Sequence, residues 1–225
     1  MMTFSKIRAF FADPKLLVVL SAVAISSCAS TPPPLPTIDQ LDKKSPDYVN
    51  PYPEGTHLHF QGRKDYPKTY DSYKNSELLA NSANASVRIV IDISDQRGQL
   101  FVNDEVAMDY PLSTGVKKHP TPTGDFTILE KVRSGKASNL YGKMYDAEDK
   151  VVDSDAKSTD EVPEGGRFAG APMPYWMRLT NGGIGMHVGK VRRSPVSHGC
   201  LRHQRAIART IFDTIKLGTP VTIQD

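Results

Sequence analysis

One thiol and three imidazoles fall within a short stretch near the end of the chain, GIGMHVGKVRRSPVSHGCLRHQ, which runs from Gly183 to Gln204. A thiol at Cys200 can act as a nucleophile if a base takes its proton, donors hold a developing oxyanion, and substrate has room to approach. His187 is the natural base. Downstream, Ala206, Ile207, Thr210, Ile211 and Ile215 recur at three- and four-residue steps, which predicts a helix with Cys200 in or just before its first turn. Amides at a helix start would lower the thiol pKa, and the N–H groups of Gly199 and Cys200 are the candidate oxyanion donors. Gly199 lets the chain turn sharply and clears the approach to the thiol. Ser197 shapes the same loop, and His198 either positions substrate or ties the loop by a structural hydrogen bond. Arg202 suits a carboxylate, which a guanidinium grips through two parallel hydrogen bonds; its alternative is a solvated helix residue. His119, Arg192, Arg193 and His203 read as surface residues.

Those residues need a frame, and the frame reads as β. Val87, Ile89, Ile91 and Ile93 alternate with other residues, Asp95–Gly98 turns the chain, and Leu100–Val102 and Val106–Leu112 continue around Asn103-Asp104 as antiparallel hairpins. Phe126 to Leu129 gives another strand. Tyr175 to Thr180, then Asn181-Gly182-Gly183, gives a strand and turn leading to His187, and Pro220 to Gln224 is the last strand, after the helix ends at Gly218. The fold class is mainly β with one appended helix, a small β sandwich or open barrel. Between Lys131 and Pro174 the periodicity vanishes, and a long structureless stretch inside a compact domain is either functional or a disordered insertion.

The motif SHGCLR at Ser197–Arg202, with His187 thirteen residues before the cysteine, resembles the signature of L,D-transpeptidases. The likeness extends upstream to RIVIDISDQRGQLFVNDEVAMDYPLSTG and TPTGDF and covers roughly residues 86–225. Two departures stand out. Met186-His187-Val188 replaces the family's Ile-His-Gly, with Gly189 one place late, and His203 stands where Asn is common after the motif arginine. The resemblance implies the same β fold, a backbone carbonyl at Val188 that orients His187, and a lid over the cleft. That lid maps to residues 140–170, with Tyr141 and Tyr145 as substrate-facing aromatics. It also implies reactivity toward β-lactams, chiefly carbapenems.

At the other end the chain reads as an export signal. Lys6, Arg8 and Lys15 form a basic region, Leu16 to Ile25 is largely apolar, and Ile25-Ser26-Ser27-Cys28 resembles a bacterial lipobox. The apolar run falls well short of the roughly 20 residues that span a bilayer; a short membrane anchor or a buried helix is the alternative. On the lipobox reading residues 1–27 are removed and Cys28 carries lipid. Ala29 in place of Asp resembles lipoproteins sent to the outer membrane, so the protein is expected on its periplasmic face, anchored to the lipid membrane through Cys28. With Cys28 lipidated, Cys200 has no partner in the same chain and reads as reactive; a Cys28–Cys200 disulfide is the structural alternative.

Residues 28–37 form the lipidated start and a proline-rich tether, extended and unable to build a core. Residues 38–85 place Tyr48, Tyr52, Tyr66, Tyr70 and Tyr73 among prolines and charges, and only Ser76 to Ala80 suggests a short helix. This arm is expected to wrap the domain by its tyrosines, or to meet wall glycan or a protein partner that the sequence does not identify. The formal charge of +3 loses Lys6, Arg8 and Lys15 against Asp13 on processing, which leaves +1 and argues for no nucleic-acid partner.

Three functions fit. The first is acyl transfer on peptidoglycan stem peptides: Cys200 attacks the amide between the L-centre of the diamino acid and D-Ala of a tetrapeptide stem, and an amine of a second stem takes the acyl group. Water as acceptor would make a carboxypeptidase, and an attached lipoprotein a further variant. The second is a zinc site from His187, His198, Cys200 and His203, whose spacings lack the pairing of zinc modules, so no metal and no cofactor are expected. The third is a wall-binding lipoprotein without catalysis.

Overall fold

The computed structural model describes residues 41–225. The signal segment, the lipidated Cys28, the proline tether and residues 38–40 of the arm lie outside the described residues.

The domain grows from three consecutive strands, β2 (Val87–Asp92), β3 (Arg97–Val102) and β4 (Glu105–Ser113), after a two-residue β1 (Tyr73–Lys74) in the arm. Asn103 and Asp104 join β3 to β4 with φ of 49° and 66°, the pair of positive angles that matches a hairpin turn to the strand twist. Further strands are β5 (Gly124–Thr127), β6 (Glu130–Val132), β10 (Trp176–Arg178), β11 (Gly185–Val188), β12 (Leu201–His203) and β13 (Pro220–Gln224). Together they make one sheet in the order β5-β13-β2-β3-β4-β12-β11-β10-β6, with β1 added beside β4. β13 runs parallel to β2, and β11 parallel to β12; the other pairings are antiparallel.

The sheet curls around one apolar core. Ile89 and Ile91 of β2, Leu100 and Val102 of β3, Met108, Tyr110 and Leu112 of β4, Met186, Leu201, Val221 and Ile223 all belong to it. The helix α3 (Arg205–Thr214) covers this core with Ile207, Ile211 and Phe212, and Ile215 follows at its C-terminal end. Burying a side chain of this size stabilises by roughly 1.5–3 kcal/mol, which is why the apolar face of the sheet, once curled, holds the helix. Two short helices belong to the arm, α1 (His57–Gly62) and α2 (Ser76–Ala80), the second over the residues where a short helix is expected.

The stretch expected to be structureless is a second sheet. β7 (Ala137–Tyr145), β8 (Val151–Lys157) and β9 (Arg167–Pro172) pair antiparallel in the order β8-β7-β9. The sequence hides it because this sheet is mostly exposed: β8 buries only Ala156, and the register shifts within β7 break any alternation.

The arm holds the main sheet by a polar contact more than by aromatic packing. Tyr66 donates to Asp109 at 3.1 Å and Tyr70 donates to the Arg192 carbonyl at 3.0 Å, whereas Tyr48 bonds within the arm to the Gly62 carbonyl, Tyr52 is exposed, and Tyr73 pairs with Asp109 through the backbone of β1.

Candidate active site

His187 and Cys200 are brought together by the parallel pairing of β11 and β12. Met186 pairs with Leu201, His187 with Arg202 and Val188 with His203. Side chains alternate along a strand, so His187 and Arg202 share one face and Cys200, two residues before Arg202, joins them. That face opens on a cavity of about 240 Å³, lined by His187, Cys200 and Arg202 together with Ser197, His198, Trp176 and Tyr141.

This register corrects two expectations. Cys200 does not begin the helix, because β12 intervenes and α3 starts only at Arg205. No helix start lowers its pKa; burial pushes the thiol up instead, against a backbone hydrogen bond from Gly185 and the charge of Arg202, which act the other way. His203 is not a surface residue either. The alternation that turns Cys200 and Arg202 to the cleft turns Leu201 and His203 into the core, where His203 is fully buried and meets Tyr110 edge to face, ring centroids 5.5 Å apart. Both of its ring nitrogens lack a hydrogen-bond partner among the described residues, and burial pushes its pKa down to about 3.

His187 is buried, and its Nδ1 lies 2.9 Å from the Val188 carbonyl. A carbonyl can only accept, so Nδ1 carries the proton and Nε2 keeps its lone pair. Burial, outweighing that hydrogen bond, pushes the imidazole pKa down to about 4. The half-buried thiol donates to the Gly183 carbonyl at 3.7 Å. Burial thus acts on both partners in the same sense, toward a neutral thiol beside a neutral imidazole.

The loop before Cys200 is fastened by two hydroxyls. Ser197 Oγ donates to the Cys200 carbonyl and accepts from the Gly199 N–H at 3.1 Å; Thr121 Oγ1 donates to the Gly199 carbonyl and accepts from Gly115 N–H, both at 2.8 Å. Ser197 therefore already holds the Gly199 N–H that was expected to serve an oxyanion. Gly115 lets the segments meet: a Cβ there would lie 2.1 Å from the His119 carbonyl oxygen and 2.7 Å from the Gly199 Cα. Gly199 itself sits at φ +108°, a region open to glycine.

The second sheet meets the loop before Cys200 through rings. Tyr141 of β7 stacks on His198, centroids 3.9 Å apart and planes at 12°, and His119 stands 5.0 Å from His198. Asp155 of β8 reaches His198 Nε2 at 3.7 Å. Burial lowers the His198 pKa although Asp155 opposes it. His119, expected at the open surface, is thus half-buried in this stack. Tyr145 lies instead beneath Arg167, 4.3 Å from ring centroid to guanidinium, and does not line the cavity. Arg192 is exposed, but Arg193 is half-buried and donates to the Asp95 carbonyl at 2.9 Å, so it is no solvated loop residue.

Sequence reasoning missed Trp176, Arg178 and Lys136. Trp176 stands with its ring centroid 6.2 Å from that of His187, and Glu130 Oε2 accepts from both Trp176 Nε1 and Arg178 Nε at 2.9 Å. The signal was present as Trp-Met-Arg in a strand, whose alternation puts Trp176 and Arg178 on one face. The zinc alternative fails on placement, since His203 faces the core while His187 and Cys200 face the cleft, and among the described residues no three His, Cys, Asp or Glu side chains gather to hold a metal.

A model of the YkuD family, the L,D-transpeptidase catalytic domain, matches residues 86–223. The chain is 27% identical over 121 residues to a probable L,D-transpeptidase 3 of Mycobacterium tuberculosis, a stretch that is 51% of this chain and 38% of that protein. The chain thus spans under half the length of that relative. Among solved structures it is similar to an L,D-transpeptidase from Mycobacterium smegmatis, at 25% identity and a TM-score of 0.49, over 63% of this chain and 59% of the other. It is also similar to L,D-transpeptidase 3 from Mycobacterium tuberculosis, at 22% identity and 0.47, over 63% and 62%.

Proposed function

The chain belongs to the YkuD family of L,D-transpeptidase catalytic domains, and on that premise we propose that it is a peptidoglycan L,D-transpeptidase working through a Cys200 thioester. One observation carries the reading: Cys200 and His187 open on a single cavity, and the Val188 carbonyl holds the His187 Nδ1 proton so that Nε2 is left to act.

His187 Nε2 takes the thiol proton as Sγ bonds to the carbonyl carbon between the L-centre of the diamino acid and D-Ala. Because burial disfavours both the thiolate and the imidazolium, the proton moves as the carbon–sulfur bond forms, not before. The negative charge passes to the carbonyl oxygen, toward the Cys200 N–H, which serves as the oxyanion donor in place of the Gly199 N–H. The carbon–nitrogen bond then breaks, His187 Nε2–H protonates the departing D-Ala amine, and a thioester remains. An amine of a second stem, losing its proton to His187, attacks the thioester; the new amide forms and Cys200 leaves as thiol. The sheet β7–β9, fixed to the catalytic loop through Tyr141, His198 and Asp155, covers the cleft in the manner of a lid over residues 140–170.

The N-terminal reading completes the proposal: an exported protein, anchored by lipid on Cys28 at the periplasmic face of the outer membrane, with the tether giving it reach to the wall. Loss of lipid labelling in Cys28→Ser, with the protein released from membranes, is the expected result.

The test is the intact mass of the chain incubated with disaccharide tetrapeptide, beside Cys200→Ala. Expected is an adduct equal to substrate minus D-Ala, together with cross-linked dimer, both lost in the variant. Adduct with only tripeptide released assigns a carboxypeptidase. No adduct from a chain whose thiol titrates as free sinks the enzyme reading.

A further inference from the structure

Of the chain's asparagines only Asn181 is followed by glycine. It stands in the turn Thr180–Gly183 that joins β10 to β11, and both Asn181 and Gly182 are exposed. The turn is closed at its base: the Thr180 carbonyl accepts from the Gly183 N–H at 3.2 Å and the Thr180 hydroxyl from the Ile184 N–H at 3.1 Å. Neither the Asn181 side chain nor the Gly182 N–H has a hydrogen-bond partner among the described residues. By contrast the side chains of Asn50, Asn75 and Asn103 are spent on backbone groups. A Cβ at Gly182 would meet nothing nearer than the Thr180 hydroxyl, at 3.8 Å, so the space over that residue is open. A free side-chain amide beside a free and unhindered N–H can close on it, because glycine neither blocks the approach nor restricts the backbone angles the closure needs.

We infer that Asn181 is a site of spontaneous deamidation at the rim of the cleft, and that its isoaspartyl product uncouples this turn from Cys200. The Gly182 nitrogen, losing its proton to base, bonds to Asn181 Cγ; the Cγ–Nδ2 bond breaks, ammonia leaves and a succinimide ring remains. Water then opens the ring at one of its two carbonyls. Breaking the Cγ–N bond leaves aspartate on an unaltered main chain. Breaking the C–N bond leaves isoaspartate, whose main chain runs through Cβ and Cγ and is longer by one methylene. The position makes this consequential, because Asn181, Gly182, Gly183 and Ile184 line the same cavity as Cys200. The Gly183 carbonyl accepts from the thiol at 3.7 Å, and Ile184 packs so closely on Gly199 that a Cβ there would come within 2.5 Å of Ile184 Cδ1. A methylene inserted at 181 breaks the Thr180–Gly183 closure, and packing this tight passes the shift to both contacts.

The experiment incubates the full chain in mildly alkaline buffer with reductant and follows the tryptic peptide Leu179–Lys190 by mass, beside activity read as D-Ala release. Expected is the mass gain of an amide turned acid, in two separable isomers and faster as pH rises. Activity should fall in step with the isoaspartyl isomer while Cys200 still titrates as a free thiol. Gly182→Ala has room for its Cβ, and there the mass gain should slow by about fivefold or more, with activity lasting longer relative to the same preparation when fresh. Asn181→Asp carries the charge on an unaltered main chain and should stay well above the isoaspartyl form in activity. No mass gain, under conditions where a free peptide of the same sequence converts, means that the turn protects Asn181 and overturns the inference. Mass gain with activity unchanged, or Asn181→Asp as inactive as the isoaspartyl form, overturns the coupling through the main chain. The activity readout rests on the transpeptidase reading, and a fresh chain that releases no D-Ala defeats that reading alone. The coupling is then read from the rate at which iodoacetamide alkylates Cys200, expected to change by about threefold or more on ageing; an unchanged rate overturns it.

Discussion

Asp109 and Tyr110 are neighbours on β4 and point to opposite faces of the sheet, both fully buried, yet their surroundings could hardly differ more. On one face Asp109 is saturated. Its Oδ1 accepts from Arg97 Nε at 2.6 Å, and its Oδ2 from His57 Nε2 at 2.8 Å and from Tyr66 and Gln99 at 3.1 Å. Arg97 in turn donates to the carbonyls of Pro67, Thr69 and Asp71. On the other face the Tyr110 hydroxyl and both nitrogens of His203 find no partner among the described residues. The first cluster locks the arm to the sheet, since two of its donors, His57 and Tyr66, come from the arm and two, Arg97 and Gln99, from β3. The second is a polar inclusion in the floor beneath the catalytic strand, tolerated and not exploited for cohesion. A buried polar group stabilises only in proportion to its satisfied bonds.

Removing Asp109 should have the largest effect. Asp109→Ala strands the buried Arg97 guanidinium and frees His57 and Tyr66, and a loss of about 3–5 kcal/mol is expected in urea unfolding. A change below about 1 kcal/mol would mean that the arm is held by something other than this cluster.

Acid should separate the two faces next, because they respond in different windows. His203 and His187 are held neutral, at about 3 and about 4 against an ordinary 6.5, so the unfolded chain binds protons more readily than the folded one. Their contribution is complete above pH 6.5 and is lost as pH falls from there toward 4 and 3. For Asp109 burial alone would raise the pKa, but the His57 hydrogen bond and the Arg97 charge hold it below the ordinary range. Its contribution is complete above roughly pH 4 and is lost only as pH drops through its folded pKa. Stability measured against pH should therefore fall in two stages. His203→Leu, which removes an unpartnered buried imidazole of similar size, should flatten the first stage by a few kcal/mol and leave the second. A first stage unchanged in that variant would remove His203 from the account.

The smallest effect is expected at the other orphan. Tyr110→Phe removes a hydroxyl with no partner among the described residues, and stability should stay within about 1 kcal/mol of the parent or rise. A loss of 2 kcal/mol or more would reveal a partner for that hydroxyl.

Much of this frame was legible in the chain. The alternation of Val87, Ile89 and Ile91, the turn at Asn103-Asp104 and the steps of Ile207, Ile211 and Ile215 are written in periodicity, and the structure places them in strands, a hairpin and a helix with Ile215 just past its end. What escaped was set by partners distant in sequence. β12 is three residues long and exists because β4 and β11 flank it, so Leu201–His203 carried too few residues to reveal a period, and His203 was misplaced with it. The sheet β7–β9 escaped because it buries so little that its strands have no apolar face to advertise. At the site, Cys200, His187 and Arg202 were marked by residue type and order, whereas the capture of the Gly199 N–H by Ser197 and the rise in the thiol pKa depend on where the loop packs.

The parallel seam between β13 and β2 sets the order in which the molecule can be finished. Val221 pairs with Ile89 and Ile223 with Ile91, and among the described strands only β13 pairs with β5. A ribosome must therefore have translated past Pro220 before the first strand of the domain gains its second neighbour. Until then β2 has an open edge and Ile89 and Ile91 lack Val221 and Ile223 beside them. A chain cut short upstream of β13 would leave β2 with that edge unpaired and β5 without this neighbour, an exposed edge that invites misassembly.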